Sequence, residues 1–223
     1  SPVVFEQREH LGGMMRYGIP AYRFPRAELE REVDWIVSQG IELRMGTTVP
    51  NDVTLGELRR DFDAVYIAIG AHNEKTLGIE GENAEGVLSA VEMLRAIGDG
   101  FMHDFAGQRI VVVGGGNVAM DVARTSLRLG AASVTVVYRR RIEDMTAQRE
   151  EIEGAIAEGC EIMELAAPLR VLEEDGCVAG LEIQPQVIGK FDRGRPKPVK
   201  ADKPPQAIEC DRVLMAVGQA VGH

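Results

Sequence analysis

The sequence predicts an α/β fold built on a parallel sheet, and three observations carry that reading. Between residues 109 and 165 short apolar runs alternate with helical patterns, as parallel strands joined by crossover helices do. A glycine triplet, Gly114-Gly115-Gly116, stands between one such strand and the next helix. The 25 glycines among 223 residues exceed ordinary usage and suit many tight strand-to-helix turns. That length serves one large domain or two small ones, and a 45% hydrophobic content allows a sizeable core.

Taken in order, Pro2 to Glu6 reads as a buried strand ending in an acid. No turn signal precedes it, so we expect this chain to be a part cut from a longer protein. His10-Leu11-Gly12-Gly13 breaks the strand, and Tyr17-Gly18-Ile19-Pro20 with Phe24-Pro25 marks a loop. Ala27 to Gln39 is helical, with Leu29, Val33, Ile36 and Val37 on one face and Gly40 ending it. Ile41 to Met45 alternates as a strand. Leu55 to Arg60 is a short helix, and Ala64 to Ile69 a buried strand closed by Gly70. Residues 71 to 105 read as a connector holding one apolar helix, Ala90 to Ile97. The domains expected are residues 1–100 and 101–223.

After Gly107 the pattern sharpens. Arg109–Val113 is a strand, Asn117–Leu129 a helix ended by Gly130, and Ser133–Tyr138 a second strand. Thr146–Glu158 is a second helix and Glu161–Leu165 a third strand. A meander follows. Leu169–Glu173 and Val178–Gln184 form a hairpin across Asp175-Gly176, and Ala207–Cys210 and Val213–Val217 are final strands. Gly189–Pro205, basic and proline-rich, reads as an exposed loop. The segments Asp63–Gly70 and Asp211–Gly218 share the pattern D-x-V-x-x-A-x-G, which we read as a duplicated sheet-ending strand.

Bulk properties exclude several functions. A net charge of −10 opposes binding of nucleic acid or an anionic membrane over the whole surface. No apolar run approaches membrane-spanning length, and no secretory leader opens the chain. Cys160, Cys177 and Cys210 are far apart without a CxxC, which leaves no redox dithiol, zinc site or full iron–sulfur ligand set. We expect reduced thiols in a cytoplasmic protein.

The strongest motif runs from Ile110 to Ala119 and fits G-x-G-x-x-A between strand and helix. Gly114 permits the tight turn, Gly116 lets a pyrophosphate approach the backbone, and Ala119 lets the helix pack close to the sheet. Free N–H groups and the positive helix end attract the anion. With βαβ context on both sides, the motif predicts a Rossmann-like NAD(P)-binding domain. Where an NAD site carries an acid, the chain has Tyr138-Arg139-Arg140-Arg141. Guanidinium groups there can grip a 2′-phosphate bidentately, which predicts NADPH. The alternative is a solvated basic turn neutralised by Glu143 and Asp144. Glu6 stands where a ribose-binding acid belongs, or is an ordinary exposed acid in the run Glu6-Gln7-Arg8-Glu9.

Other candidates are weaker. His10, His72, His103 and His223 show no ligand or triad spacing. Met14 and Met15 are packing residues by default, and Asp121 and Arg124 suggest a helix-surface ion pair.

The loop Gly12-Gly13-Met14-Met15-Arg16-Tyr17-Gly18-Ile19-Pro20, the stretch Tyr22-Arg23-Phe24-Pro25, Gly114 to Arg124 and the Tyr-Arg-Arg run before Met145-Thr146-Ala147 resemble the NADPH-dependent glutamate synthase small-subunit family. The resemblance covers essentially the whole chain. It implies two domains of the disulfide-reductase type, the first a partial Rossmann-like FAD domain. By resemblance Glu6, Gly13, Met14, Arg23 and Val49 touch FAD. Gly114, Gly115, Gly116, Asn117, Val118, Ala119, Arg139, Arg140, Arg141 and Thr146 hold NADPH, and Ala216-Val217-Gly218 border the nicotinamide. Two departures stand out: the family often has proline where Thr146 stands, and the FAD glycine motif and flanking segments are missing.

The resemblance also implies the reaction: hydride passes from NADPH to FAD, then electrons reach iron–sulfur clusters and a partner catalytic subunit. Such transfer needs no protein acid or base, so no catalytic residue is expected. Three alternatives stay open: an NADPH-binding module without turnover, an NADH-using ferredoxin-coupled relative, and an interaction domain using Gly189–Pro205.

Overall fold

The computed structural model describes residues 1–192 and 195–220, and its contacts divide into two units, Ser1–Ala71 and His72–His223. In the first unit, strand β1 (Val3–Glu6) pairs in parallel with β2 (Glu42–Met45), Val3 opposite Glu42 and Glu6 opposite Met45. Helix α1 (Gly13–Tyr17) and helix α2 (Arg26–Val37) lie between them in sequence. Of the expected apolar face of α2 only Leu29 is buried, while Ile36 and Trp35 are exposed. Helix α3 (Leu55–Asp61) opens with a capping box: Glu57 N–H donates to Thr54 Oγ1 (3.2 Å) and Thr54 N–H donates to Glu57 Oε2 (2.9 Å).

The expected strand at Ala64–Ile69 is not formed. Its side chains face solvent, Tyr66 at 92% exposure. A strand exists only through a hydrogen-bonded neighbour, and β1 and β2 pair with each other. The duplicated pattern therefore gives a strand in one copy and an unpaired run in the other.

Residues 72–100 group with the second unit. Strand β3 (Asn73–Glu74) is short. Strand β4 (Val87–Ser89) leads into α4 (Ala90–Gly98), whose Ser89 Oγ accepts from Glu92 N–H (3.2 Å). Then follow β5 (Arg109–Val113), α5 (Asn117–Arg128), β6 (Ser133–Val137), a 3₁₀ turn at Ile142–Asp144, α6 (Arg149–Ala157) and β7 (Glu161–Met163). The meander is β8 (Ala166–Glu174), β9 (Cys177–Asp192), β10 (Arg195–Lys200) and β11 (Gln206–Glu209); β12 (Arg212–Met215) returns to the parallel sheet, and β13 (Gln219–Ala220) pairs back on β3.

Five strands form the parallel sheet in the order β4-β12-β5-β6-β7. β5 is buried on both faces, as a central parallel strand is. Ile110 and Val112 pack with Ala119, Val122 and Ile152 of the helices, whereas Val111 and Val113 pack with Val171, Leu181 and Ile183 of the meander. One pleated strand thus feeds two cores.

The meander corrects a second expectation. Much of Gly189–Pro205 is strand rather than loop: β9 continues to Asp192 and β10 returns along it, Pro196 opposite Phe191 and Lys200 opposite Gln186, and residues 201–205 connect irregularly to β11. Residues 193 and 194 of that expected loop, and His223, lie outside the described residues. The prolines misled because they usually exclude strands, yet β10 pairs with β9 alone, and an edge strand tolerates missing N–H groups. The β8–β9 turn is as expected, with Asp175 and Gly176 both at positive φ (52° and 82°).

Between α5 and α6, Arg124 donates to Glu151 (2.6 Å) and to Glu158 (2.7 Å), which also accepts from Arg128. Asp121, expected on the helix surface, is buried. The Arg128 and Arg124 hydrogen bonds hold Glu158 well below the usual carboxylate range, at about 2. A depressed carboxyl stabilises the fold above its unfolded pKa and loses that contribution as pH falls through the folded value. Replacing Glu158→Gln is expected to cost about 1–2 kcal/mol at pH 7. In urea titrations the gap between variant and parent should close between pH 5 and pH 2; a gap constant over that range would refute the assignment.

Candidate functional site

The βαβ turn is fixed by close approaches. Ala216 N–H donates to Val113 O (2.8 Å) and Gly114 N–H to Val137 O (3.1 Å), tying the end of β5 to both neighbouring strands. Gly114 adopts φ 148°, and a Cβ there would lie 2.3 Å from Ala216 O. Gly115 lies against the Tyr138 ring, where a Cβ would come within 2.5 Å of ring carbons. Its carbonyl accepts from the N–H groups of Thr146 (3.0 Å) and Ala147 (3.1 Å). Gly116 differs: its backbone is ordinary extended N-cap geometry, and a Cβ would meet only Thr146 Oγ1, at 3.5 Å. Two glycines are required by the fold, and the third leaves room for a ligand.

Helix α5 begins without a side-chain cap and without an acid in its first turn. Among the described residues, no acceptor meets the N–H groups of Asn117 and Val118, which also precede the first intrahelical bonds. The Asn117 side chain is committed elsewhere: its Oδ1 accepts from Gln148 N–H (2.8 Å) at the start of α6. Ala119 is fully buried against the sheet-side core. Beside the helix start lies a cleft of about 190 Å³ lined by Val91, Gly116, Asn117, Val118, Met215, Ala216, Gly218 and Gln219. The expected residues Gly116, Asn117, Val118, Ala216 and Gly218 thus share one wall system. Val217 packs partly buried against the meander-side core.

The arginine run does not act as one patch. Arg139 is exposed and makes no hydrogen bond or ion pair among the described residues. Arg140 is half-buried, and its Nε donates to Pro196 O (2.9 Å) on β10. Arg141 donates from Nε and Nη2 to the Asp144 carboxylate (2.8 and 3.1 Å) and pairs with Glu143. The Arg141 hydrogen bonds hold Asp144 low, with a smaller contribution from the Arg140 charge. For Arg141, then, the neutralised-turn alternative describes the geometry. Thr146 is exposed, and the N–H that a proline would lack is bonded to Gly115 O.

In the first unit, Glu6 ends β1, its Oε1 accepting from Arg8 N–H (2.9 Å) and its carbonyl from Thr47 N–H (2.9 Å). That second bond brings the loop carrying exposed Val49 beside it. Gly13 and Met14 open α1, and half-buried Arg23 follows the Pro20 turn. Arg26, which sequence reading passed over, donates to Met15 O (2.9 Å) and Ile19 O (2.8 Å) and so pins the glycine loop to α2. Gly115, expected to hold NADPH, has besides a packing role against Tyr138 that the motif does not show. The signal was Tyr138, an aromatic ending the adjacent strand.

No group of His, Cys, Asp and Glu suited to a metal occurs among the described residues. Burial pushes the Cys160 thiol up to about 11 and Cys210 up to about 12, so both stay protonated at neutral pH. No helix among the described residues is long and apolar enough to cross a membrane.

A glycine turn between parallel strand and uncapped helix, with arginines ending the next strand, defines a dinucleotide-binding βαβ unit. The chain belongs to the pyridine nucleotide-disulphide oxidoreductase family, which it matches over residues 10–222. It is 38% identical over 220 residues to the NADP(+)-dependent formate dehydrogenase subunit beta of Moorella thermoacetica, covering 97% of this chain and 31% of that protein. It is 35% identical over 228 residues to the glutamate synthase [NADPH] small chain of Escherichia coli, covering 97% of this chain and 48% of that one. The chain therefore spans about half or less of these relatives. Among solved structures, Mycobacterium tuberculosis FprA in complex with NADPH superposes with a TM-score of 0.81 at 19% identity, covering 97% of this chain and 63% of that one.

Side-chain room at the three glycines gives a direct check. Gly114→Ala and Gly115→Ala should each cost about 1–3 kcal/mol in urea unfolding. Gly116→Ala should stay within about 1 kcal/mol of the parent. Equal losses at all three would contradict the packing described.

Proposed function

We propose that this chain is the NADPH-binding, electron-entry part of a flavin-dependent oxidoreductase. The observation that carries the reading is the pairing of an acid-free helix start, whose first N–H groups meet no acceptor among the described residues, with an exposed arginine at the end of the next strand that has no partner among them. The Asn117 and Val118 amides would hold the pyrophosphate, and Gly116 gives it clearance. Arg139 and Arg140 would hold the 2′-phosphate, with Arg141 left to the ion pairs that shape the turn. The cleft beside Ala216 and Gly218 is of single-ring size and would take the nicotinamide, the rest of the cofactor lying along the open helix start.

The first unit fits the flavin side in one respect. Glu6 Oε2 has no protein donor among the described residues, as suits an acid facing a ribose. Gly13, Met14, Arg23 and Val49 would line FAD on the same reading. Bound together, the cofactors supply the hydride transfer and the onward electrons. The chain's own residues bind and orient, and none is needed to move a proton. The electrons would leave to an iron–sulfur domain or subunit and a partner catalytic subunit, in the cytoplasm. The naming of the relatives as a subunit beta and a small chain supports a multi-subunit setting.

Calorimetric titration of the chain with NADPH and NADH tests the reading. The parent should bind NADPH more tightly, and Arg139→Ala should weaken NADPH about tenfold or more while leaving NADH unchanged. Equal affinity of the parent for both nucleotides would sink the 2′-phosphate assignment.

A further inference from the structure

The hairpin β9–β10 has no part in the nucleotide-binding reading so far, yet its two strands hold Arg140 at two points. Through β10, Pro196 O accepts from Arg140 Nε (2.9 Å). Through β9, Gln186 N–H donates to Leu165 O (2.6 Å), and Leu165 N–H donates to Arg140 O (3.0 Å). Gln186 in turn stands opposite Lys200 in the hairpin register. Leu165, the relay, sits at φ 54°, a conformation that a branched side chain adopts only when its surroundings impose it. The ladder is irregular between Pro196 and Pro198, beside the carbonyl that Arg140 takes.

The two arginines are therefore prepared differently. Arg139 is exposed and must give up its side-chain freedom when a ligand arrives. Arg140 has its backbone and its Nε fixed beforehand. Its Nη1 and Nη2 groups make no hydrogen bond or ion pair among the described residues, and the nearby Asp144 carboxylate is bonded to Arg141. A half-buried guanidinium with its terminal N–H groups spare is a preorganised anion donor.

We propose that the β9–β10 hairpin is the device that positions Arg140 to discriminate a 2′-phosphorylated dinucleotide from its unphosphorylated counterpart. The proposal rests on the NADPH reading above and deepens it: Arg140 contacts the ligand, and Pro196, Gln186 and Leu165 are positioning residues acting through it. Preference for NADPH is then set from the meander, over fifty residues downstream of the arginine run.

The hairpin can be disturbed without touching the binding groups. A Cβ on Gly189 would lie 3.1 Å from Val199 Cγ1 and 3.2 Å from Lys197 O, so Gly189→Val displaces β10 next to Pro196. Calorimetry on the full chain should show NADPH dissociation raised about tenfold in Gly189→Val, with NADH unchanged. Arg140→Lys keeps the charge but lacks a fork that can bond Pro196 and phosphate together, and should lose NADPH by a similar factor. The double variant should bind no more weakly than Arg140→Lys alone. If the parent prefers NADPH but Gly189→Val keeps the same NADPH-to-NADH ratio, or weakens both equally, the hairpin's role is overturned while the site reading stands. Should Gly189→Val fail to fold, Arg140→Lys decides alone, and an unchanged ratio there overturns the proposal. A parent without any preference overturns both.

Discussion

Everything around the start of α5 depends on how closely the β5–α5 turn is gripped by its neighbours. The Ala216 carbonyl presses on Gly114 from one side and the Tyr138 ring on Gly115 from the other, at distances that admit hydrogen but not carbon. Those contacts set the direction in which α5 leaves the sheet. They also fix where its open amides lie and bring the end of β12 beside the helix start. Thr146 and Ala147 close the arrangement by donating to the Gly115 carbonyl, so the segment after the arginine run is anchored to the same turn.

The two cores explain why so narrow a turn holds its shape. Alternate residues of β5 belong to the helix side and to the meander side, so the strand cannot slide without emptying both. Arg124, Glu151, Glu158 and Arg128 then brace α5 to α6 at the rim, where side chains are only partly screened by solvent.

Legibility in the sequence followed burial. The elements from Arg109 to Ala157 could be read to within a few residues, because buried parallel strands and amphipathic helices leave uninterrupted patterns. Residues 64–69 carry the same pattern but lack the neighbour that would make them a strand, and pattern alone does not reveal a partner. At β10 the reverse held: proline and lysine suggested a loop, and the pairing that makes a strand comes from β9 across the turn. In the site, the glycine motif and Arg139 were visible. The neighbours Glu143 and Asp144 already offered a partner for Arg141, but the separate role of Arg140 was not visible, because it depends on Pro196, which sequence spacing does not bring near.

The composition of β10 has a consequence of another kind. A ribbon as long as β9–β10 presents a lateral row of peptide groups to solvent, and such a row can nucleate cross-strand growth between molecules. With Pro196 and Pro198 in place, two of its six residues have no N–H to offer an approaching chain. The strand standing at the margin of the meander is thereby poorly suited to template aggregation, and a segment that reads as an exposed loop protects the sheet against fibril-like stacking.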